Sequence, residues 1–262
     1  MKRFALIGHP VAGSLSPALF AAAYDGRYSY DLIDRPVFAD AWQAFLDGYD
    51  GINVTAPFKQ DAFAAVSRLS ENARLTGAVN LVVRSKDGIV GYNTDVDGVV
   101  GALGDSSLAL RMTNALIVGT GGAARAAAVA ALRLGCRVTV TGRNATALAE
   151  FAERFHCETV LLSKLSSCHS ERSEESLVIY TLPSSAPVPA FLTASPASSY
   201  PAPTGYLSNA IVLEAEYKHP SLDQVHCRRY ISGKQWLLHQ AVAGYKLFTG
   251  EEPSFEKMSA VL

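Results

Sequence analysis

The chain reads Ala115-Leu116-Ile117-Val118-Gly119-Thr120-Gly121-Gly122-Ala123-Ala124 near its middle, where an apolar run leads directly into a glycine-rich turn. The apolar run predicts a buried strand. The alanine-rich residues 123–134 predict a helix that Gly135 ends, and residues 137–141 read as a second strand. Residues 115–141 therefore form a strand-helix-strand unit of about thirty residues, which is typical of a parallel α/β sheet.

The spacing of small residues in this turn is that of a dinucleotide-binding loop. Gly119, Gly121 and Ala124 fit the pattern G-x-G-x-x-A. In that pattern the first glycine permits the turn, the second lets the backbone approach a pyrophosphate, and the last small residue packs helix on strand. Glycines also serve ordinary turns, but the strand before the loop and the helix and strand after it favour a cofactor site.

The residues after the second strand bear on the choice of cofactor. An NAD enzyme normally carries an aspartate or glutamate there for the ribose hydroxyls, whereas this chain reads Thr141-Gly142-Arg143-Asn144. A guanidinium can pair in bidentate fashion with the 2′-phosphate of NADP. Arg143 therefore favours NADP over NAD, and the alternative is an ordinary solvated loop arginine.

Two polar runs precede the nucleotide loop. Lys59 closes the run Asn53-Val54-Thr55-Ala56-Pro57-Phe58-Lys59, and Asp95 closes Gly91-Tyr92-Asn93-Thr94-Asp95. Functional residues in α/β sheets gather where strands end and helices begin, so both loops are expected at one rim of a sheet. A lysine and an aspartate brought together there form a candidate proton-transfer pair. Taken alone, Lys59 would be read as a surface lysine, since most lysines are solvated.

Composition limits the kinds of partner. The chain has 262 residues, of which 49% are apolar and 18% charged, with a formal net charge of −1. That balance gives no basic surface for nucleic acid, so we expect no nucleic-acid partner. No apolar run approaches the roughly 18 residues of a membrane span, and Met1-Lys2-Arg3 leads into a strand instead of a signal-peptide core. We therefore expect a cytoplasmic protein with no membrane partner.

The cysteines and histidines give no sign of a metal site. The four cysteines are scattered without a CxxC pair, which fits neither a disulfide framework nor a zinc site. His9, His219 and His239 have no metal-ligand spacing. We expect reduced thiols and no bound metal.

Strands and helices alternate on both sides of the nucleotide unit. Before it, the predicted strands are residues 4–8, 28–33, 51–54, 81–84 and 89–92. Three helices are also predicted there: one that begins near Ala18, one over residues 42–46 and one over residues 96–103. The last two strands flank an Asp87-Gly88 turn and form a predicted hairpin. After it, the predicted strands are residues 177–180 and 210–213. The polar residues 163–176 are expected to form a mobile surface loop. Residues 183–203 carry no helical pattern. A last helix, residues 236–248 ended by Gly250, is assigned to the first domain.

Several of these motifs together resemble the shikimate dehydrogenase family, over nearly the whole chain. The run from Asn53 to Lys59 is similar to the family signature N-V-T-x-P-x-K, and Gly91 to Asp95 is similar to G-x-N-T-D. The other matching motifs are Ser14-Leu15-Ser16-Pro17, Gly77-Ala78-Val79-Asn80, the loop Gly119 to Ala123, Tyr217 after an acidic residue, and Gln240. Several independent signatures in one order are far more specific than a glycine loop alone.

The resemblance implies a role for each matching position. It makes Lys59 and Asp95 catalytic. It implies that substrate is bound by Ser14, Ser16, Thr55, Asn80, Gln240 and Tyr217, and that NADP is bound by Gly119, Gly121, Gly122, Ala123, Arg143 and Asn144. The implied reaction is the NADPH-dependent reduction of 3-dehydroshikimate to shikimate, a step of chorismate and aromatic amino-acid biosynthesis.

The sequence therefore predicts a two-domain α/β enzyme. Residues 1–103 with 234–262 are expected to bind substrate, and residues 104–233 are expected to form a Rossmann-like NADP domain, with the active site in the cleft between them. The alternatives are a quinate/shikimate dehydrogenase that uses NAD(P) and a non-catalytic NADP-binding regulator of the same fold. The expected partner is a small-molecule substrate, and the protein is expected to be a monomer or a homodimer.

Overall fold

The computed structural model describes residues 2–86, 88–104, 113–167, 176–193 and 207–262. The chain divides into two compact units, one made of Met1–Gly98 with Leu237–Leu262 and the other of Val99–Trp236. The stretch in which a domain boundary was predicted, residues 104–114, lies mostly outside the described residues. The assignment of substrate to one domain and cofactor to the other stays a prediction.

The first unit contains a six-stranded mixed sheet. Its strands are β1 (Arg3–Gly8), β2 (Ser29–Asp34), β3 (Gly51–Val54), β4 (Arg68–Leu69), β5 (Leu81–Ser85) and β6 (Gly88–Tyr92). They lie in the order β2-β1-β3-β5-β6-β4. β1 pairs in parallel with both β2 and β3, whereas β5 runs antiparallel to β3 and to β6. The predicted hairpin is present, with Ser85 paired to Gly88, while Asp87 lies outside the described residues.

Helices cover both faces of this sheet. They are α1 (Ser16–Ala23), α2 (Phe38–Gly48), α3 (Lys59–Ala65) and α4 (Glu71–Thr76). A fifth helix, α5 (Asp95–Leu103), begins in this unit. Side chains of a strand alternate between faces, so Ile7 of β1 packs with Phe45 of α2 in one core, and Phe4 packs with Phe20 of α1 in the other. Because helices bury both faces of the sheet, side chains that point to either face of β1 are apolar. This explains the nearly continuous apolar run of β1.

Two helices occur in the described residues after the second sheet, α9 (Gly233–Thr249) and α10 (Phe255–Ser259). The apolar side of α9 contributes Tyr245 and Phe248 to the core that contains Phe4, and Phe248 stacks on Phe4 with ring centroids 4.8 Å apart. A Cβ atom on Gly51 would lie 2.7 Å from the Phe248 ring, so the helix packs closely over β3. The predicted return of the last helix to the first domain is confirmed.

The second unit contains a six-stranded sheet in which every strand pair is parallel. Its strands are β7 (Asn114–Val118), β8 (Arg137–Gly142), β9 (Glu158–Leu161), β10 (Ser176–Tyr180), β11 (Ile211–Glu214) and β12 (Arg229–Ile231), in the order β12-β11-β10-β7-β8-β9. Between β7 and β8 lies α6 (Gly122–Arg133), and α7 (Ala145–Phe155) follows β8. The strand order reverses beside β7, where open α/β sheets bind their ligands.

Two predictions for this unit are partly wrong. The polar residues 163–176 do not begin as an irregular loop, because Leu162–Ser167 forms a 3-10 helix whose Leu165 is buried. Burial of that one leucine outweighs the polar composition around it. The stretch 183–203 contains a short helix, α8 (Ala190–Thr193), although its sequence shows no helical pattern. Residues 168–175 and 194–203 of the two stretches lie outside the described residues.

Among the helices of the described residues, none is long and apolar enough to cross a membrane.

Candidate active site

The two predicted catalytic residues are in direct contact. Lys59 is the first residue of α3 and Asp95 the first residue of α5. The Nζ atom of Lys59 donates a hydrogen bond to Oδ2 of Asp95 over 2.6 Å, and the two side chains are 23% and 12% exposed. An ammonium has three protons, so one proton of Lys59 is held by Asp95 while the others are available to a ligand.

The strand order explains how residues so distant in sequence meet. The carboxyl ends of β1 and β3 lie at the same edge of the sheet because these strands are parallel. Since β5 is antiparallel to β3 and β6 is antiparallel to β5, the start of β5 and the end of β6 lie at that edge too. The loops that carry Ser14, Lys59, Asn80 and Asp95 therefore all open onto one edge.

Asp95 is braced by a buried asparagine. Asn93 is 1% exposed, and its Oδ1 accepts a hydrogen bond from the backbone N–H of Asp95 at 3.2 Å. Its Nδ2 donates to Thr76 Oγ1 and to the carbonyl of Ala78, both at 3.0 Å. Both the oxygen and the nitrogen of the Asn93 side-chain amide are therefore hydrogen-bonded, which fixes the start of α5. The motif that contains Asn93 does not reveal this role, because the partners of its side chain lie in another part of the chain.

A second network joins three polar residues of this edge. Asn80 donates from Nδ2 to Thr94 Oγ1 at 3.1 Å and to Gln240 Oε1 at 3.2 Å, and its Oδ1 accepts from the backbone of Thr94 at 2.8 Å. Because the Gln240 oxygen accepts from Asn80, the carboxamide of Gln240 is oriented with its NH₂ group pointing away from Asn80. The structure therefore brings together two predicted substrate-binding residues, Asn80 from the strand edge and Gln240 from α9.

Hydrogen bonds between Ser14 and Ser16 order the predicted serine turn. Ser14 Oγ donates to Ser16 Oγ at 3.1 Å and accepts from the Ser16 backbone N–H at 3.2 Å. The carbonyl of Ser16 accepts from the hydroxyl of Tyr245 at 3.0 Å, which ties the turn to α9. Next to it, the methyl group of Thr55 lies against Gly8, where an added Cβ atom would clash with it. Gly8 thus allows the loops after β1 and β3 to approach.

Two interactions behind the serine turn fix the neighbouring strands. The hydroxyl of Tyr30 donates to Asn53 Oδ1 at 2.7 Å, and burial raises the pKa of Tyr30 well above its ordinary value. His9 Nδ1 lies 2.6 Å from Asp34 Oδ1, and the other carboxylate oxygen accepts from the backbone of Val11. The hydrogen bond with His9, followed by that from Val11, lowers the pKa of Asp34. Asp34 therefore holds the start of the loop that leads to Ser14.

The glycine loop of the second unit fits a pyrophosphate. Gly119 has φ +122°, and a Cβ atom there would clash with Thr181 Oγ1, so the fold itself needs this glycine. Gly121 differs, because its φ of −79° suits any residue and an added Cβ atom would meet nothing within 4 Å. Gly121 is also the N-cap of α6 and offers no side chain to the first-turn amides. The space beside it therefore suits a phosphate at a helix N-terminus.

The residues after β8 border a cavity of about 410 Å³. Its lining includes Arg143 after β8, Leu161 and Ser163 near the end of β9, and Phe191 of α8. The exposed guanidinium suits the phosphate of a phosphorylated ribose, and the apolar walls suit the attached base. Asn144 has a second task, since its Oδ1 caps α7 by accepting from Thr146 and Ala147. Only its NH₂ group is then left for a cofactor.

Tyr217 lies in the second unit, on the loop that follows β11, whereas Asn80 and Gln240 belong to the first. Within the described residues, no group of three or more acidic, histidine or cysteine side chains could hold a metal ion.

Comparison with known proteins agrees with this geometry. The family model for the shikimate dehydrogenase substrate binding domain matches residues 6–82. A shikimate dehydrogenase (NADP(+)) of Bacillus licheniformis is 32% identical over an alignment that covers 99% of this chain and 95% of that protein. The chain belongs to the shikimate dehydrogenase family. The resemblance drawn from the sequence motifs is thereby confirmed.

Solved structures of the family share the fold over the full chain. Shikimate 5-dehydrogenase from Thermus thermophilus, in complex with NADP(H) and shikimate, is 28% identical with a TM-score of 0.78, covering 100% of this chain and 98% of that one. Shikimate dehydrogenase from Mycobacterium tuberculosis is 29% identical with a TM-score of 0.76 and the same coverage of each chain. The predicted α/β fold class is confirmed.

Proposed function

We propose that this protein catalyses the reversible, NADP-dependent reduction of 3-dehydroshikimate to shikimate, within chorismate and aromatic amino-acid biosynthesis. The observation that carries the proposal is the ion pair of Lys59 with Asp95, 2.6 Å long and largely buried. The membership of the shikimate dehydrogenase family supports the choice of substrate. The Thermus thermophilus relative, in complex with NADP(H) and shikimate, supports both ligands.

The proposed chemistry assigns proton transfer to Lys59. NADPH, when bound, supplies the hydride. As the substrate carbonyl gains alkoxide character, the ammonium of Lys59 stabilises the negative charge and donates a proton to the oxygen. Asp95 accepts a hydrogen bond from the same ammonium and so fixes its direction. In the reverse reaction, neutral Lys59 accepts the proton of the shikimate hydroxyl.

The proposed substrate-binding residues carry hydrogen-bond donors that suit the oxygen atoms of the substrate. Ser14 and Ser16 present hydroxyl groups, suited to the substrate carboxylate, and Thr55 presents a third hydroxyl at the neighbouring strand end. Asn80 orients Gln240 so that the NH₂ group of the glutamine is available to a carboxylate or hydroxyl oxygen. Tyr217 would contribute from the loop after β11. The first unit is thus proposed to bind substrate.

The cofactor is assigned to the second unit. Gly119, Gly121, Gly122 and Ala123 would hold the pyrophosphate at the N-terminus of α6. Arg143 would pair with the 2′-phosphate and so favour NADP. The NH₂ group of Asn144 and the cavity beside Arg143 would hold the adenosine end. We further infer a cytoplasmic enzyme that acts as a monomer or a homodimer.

A comparison of two substrates with two cofactors tests the proposal. Initial rates are measured with shikimate and with quinate, each with NADP and with NAD. We expect the highest kcat/KM for shikimate with NADP. A higher kcat/KM for quinate, or for NAD, would favour a quinate/shikimate dehydrogenase. Cofactor binding without oxidation of either substrate would favour a non-catalytic regulator and contradict the proposal.

A further inference from the structure

A buried carboxylate closes the loop that carries Tyr217. Glu214 is the last residue of β11 and is 0% exposed. Its Oε1 accepts a hydrogen bond from the backbone N–H of Ser221 at 2.6 Å. Its Oε2 accepts from the backbone N–H of Leu222 at 3.1 Å and from the hydroxyl of Tyr230 at 2.8 Å. A buried carboxylate is costly unless it is hydrogen-bonded, and here three donors satisfy it.

Two of these donors come from the far end of the loop. Residues 215–222 leave the sheet after Glu214, and the amides at positions 221 and 222 return to its carboxylate. One side chain therefore ties the two ends of the loop together. The side chain of Leu222 is buried in the apolar core beside β11, which keeps the returning end in place.

Further contacts order the rest of the loop. The backbone N–H of Ala215 donates to the carbonyl of Tyr180 at 2.8 Å, which fixes the departure from β11. A Cβ atom on Gly233 would lie 2.6 Å from the Ala215 carbonyl, so α9 begins directly against this point. Within the loop, Glu216 Oε1 accepts from the backbone of Lys218 at 2.8 Å and bends the chain around Tyr217.

We propose that Glu214 is a positioning residue that holds Tyr217 in place for ligand binding by closing the loop 215–222. The proposal rests on the proposed function, because it takes Tyr217 as a residue that contacts substrate. Because Glu214 is fully buried, it would act through the loop and not on a ligand directly. Glutamine at this position would place an NH₂ group against the backbone N–H of either Ser221 or Leu222, so one of the two loop amides would lose its acceptor.

Tyr230 provides the matched control. Its hydroxyl binds the same carboxylate, but it belongs to β12 and not to the loop. Burial raises the pKa of Tyr230, as does its hydrogen bond to Glu214, so the phenol remains a protonated donor. Tyr230→Phe removes one donor and leaves both loop amides on the carboxylate. It should lower stability without moving Tyr217.

A double-mutant cycle in the full-length enzyme tests the positioning role. Steady-state kcat and KM for shikimate are measured for the wild type, Glu214→Gln, Tyr217→Ala and the double variant. We expect Glu214→Gln to lower kcat/KM at least about tenfold, and to have less than about a twofold further effect once Tyr217 is alanine. Tyr230→Phe should lower Tm and leave both constants within about twofold of the wild type.

Other outcomes overturn the proposal. Effects of Glu214→Gln and Tyr217→Ala that multiply would show that Glu214 does not act through Tyr217. A kinetic loss in Tyr230→Phe as large as that of Glu214→Gln would show general destabilisation. If Glu214→Gln does not fold, Glu214→Asp, which keeps the charge and shortens the reach, enters the same cycle with the same criteria. A wild type that does not oxidise shikimate would instead refute the proposed function.

Discussion

Phe248→Ala should destabilise the first unit more than any single truncation on the outer side of the same helix. Phe248 is 3% exposed and stacks on Phe4 with ring centroids 4.8 Å apart. It also covers Gly51, which has no side chain to fill the space that the ring would leave. The cavity would therefore collapse poorly.

The expected cost follows from that geometry. Truncation of a buried phenylalanine to alanine costs about 3–5 kcal/mol, and poor collapse places this site near the upper end, at roughly 4–5 kcal/mol. The neighbouring Leu247 is 39% exposed on the outer side of the same helix, so Leu247→Ala is the matched control. Its cost should stay below about 1 kcal/mol because little apolar surface is uncovered.

Urea unfolding followed by tryptophan fluorescence measures both variants. The chain has two tryptophans, Trp42 in the first unit and Trp236 in the second. In a Trp236→Phe background, the fluorescence of Trp42 reports on the first unit. There the Trp42 ring packs against Phe45, with ring centroids 5.1 Å apart. Equal losses for Phe248→Ala and Leu247→Ala, or a loss below about 1 kcal/mol for Phe248→Ala, would refute the packing of α9 against β1.

Three further predictions concern the ligand sites. Gly121→Val adds a side chain to open space, so it should weaken NADPH binding at least about tenfold in a fluorescence titration while Tm stays within about 1 °C; a large loss of Tm would mean that the fold needs this glycine. Gln240→Glu keeps the acceptor for Asn80 but replaces the NH₂ donor with an anionic oxygen, so the KM for shikimate should rise at least about tenfold with little change in the KM for NADP; an unchanged KM for shikimate would remove Gln240 from the substrate site. The pKa of Asp34 is lowered in the folded protein by His9, so its stabilising effect should be complete above the unfolded pKa of about 3.9 and be lost as the pH falls through the lower folded value. The difference in Tm between wild type and Asp34→Asn should therefore close in acid, and a difference independent of pH would contradict this role.

Local sequence patterns were sufficient for the elements with strong signals of their own. The apolar run before Gly119 predicts β7, and the alanine-rich stretch after Gly121 predicts α6, which starts one residue earlier than expected at Gly122. The Asp87-Gly88 turn predicts the hairpin that pairs Ser85 with Gly88. These signals are readable because each depends on residues close together in the chain.

Elements and contacts that depend on distant residues were not predictable in the same way. The short strands β4, β9 and β12 have two to four residues each and no continuous apolar run of the kind that predicts a buried strand, and neighbouring strands stabilise them. The brace of Asn93 on Asp95 and the closure of the loop by Glu214 involve partners set by tertiary folding. Lys59 and Asp95 were found because their motifs are recognisable, whereas their 2.6 Å contact depends on the strand order.

Single-turnover reduction of 3-dehydroshikimate, followed by the loss of NADPH absorbance, tests most directly whether the Lys59–Asp95 pair performs the proton transfer. Enzyme loaded with NADPH is mixed with 3-dehydroshikimate for the wild type and for Lys59→Ala, and shikimate binding to each is measured by calorimetry. Loss of the general acid should slow the chemical step about 10²- to 10⁴-fold while shikimate still binds. A Lys59→Ala enzyme that bound shikimate and reduced 3-dehydroshikimate at the wild-type rate would contradict the account.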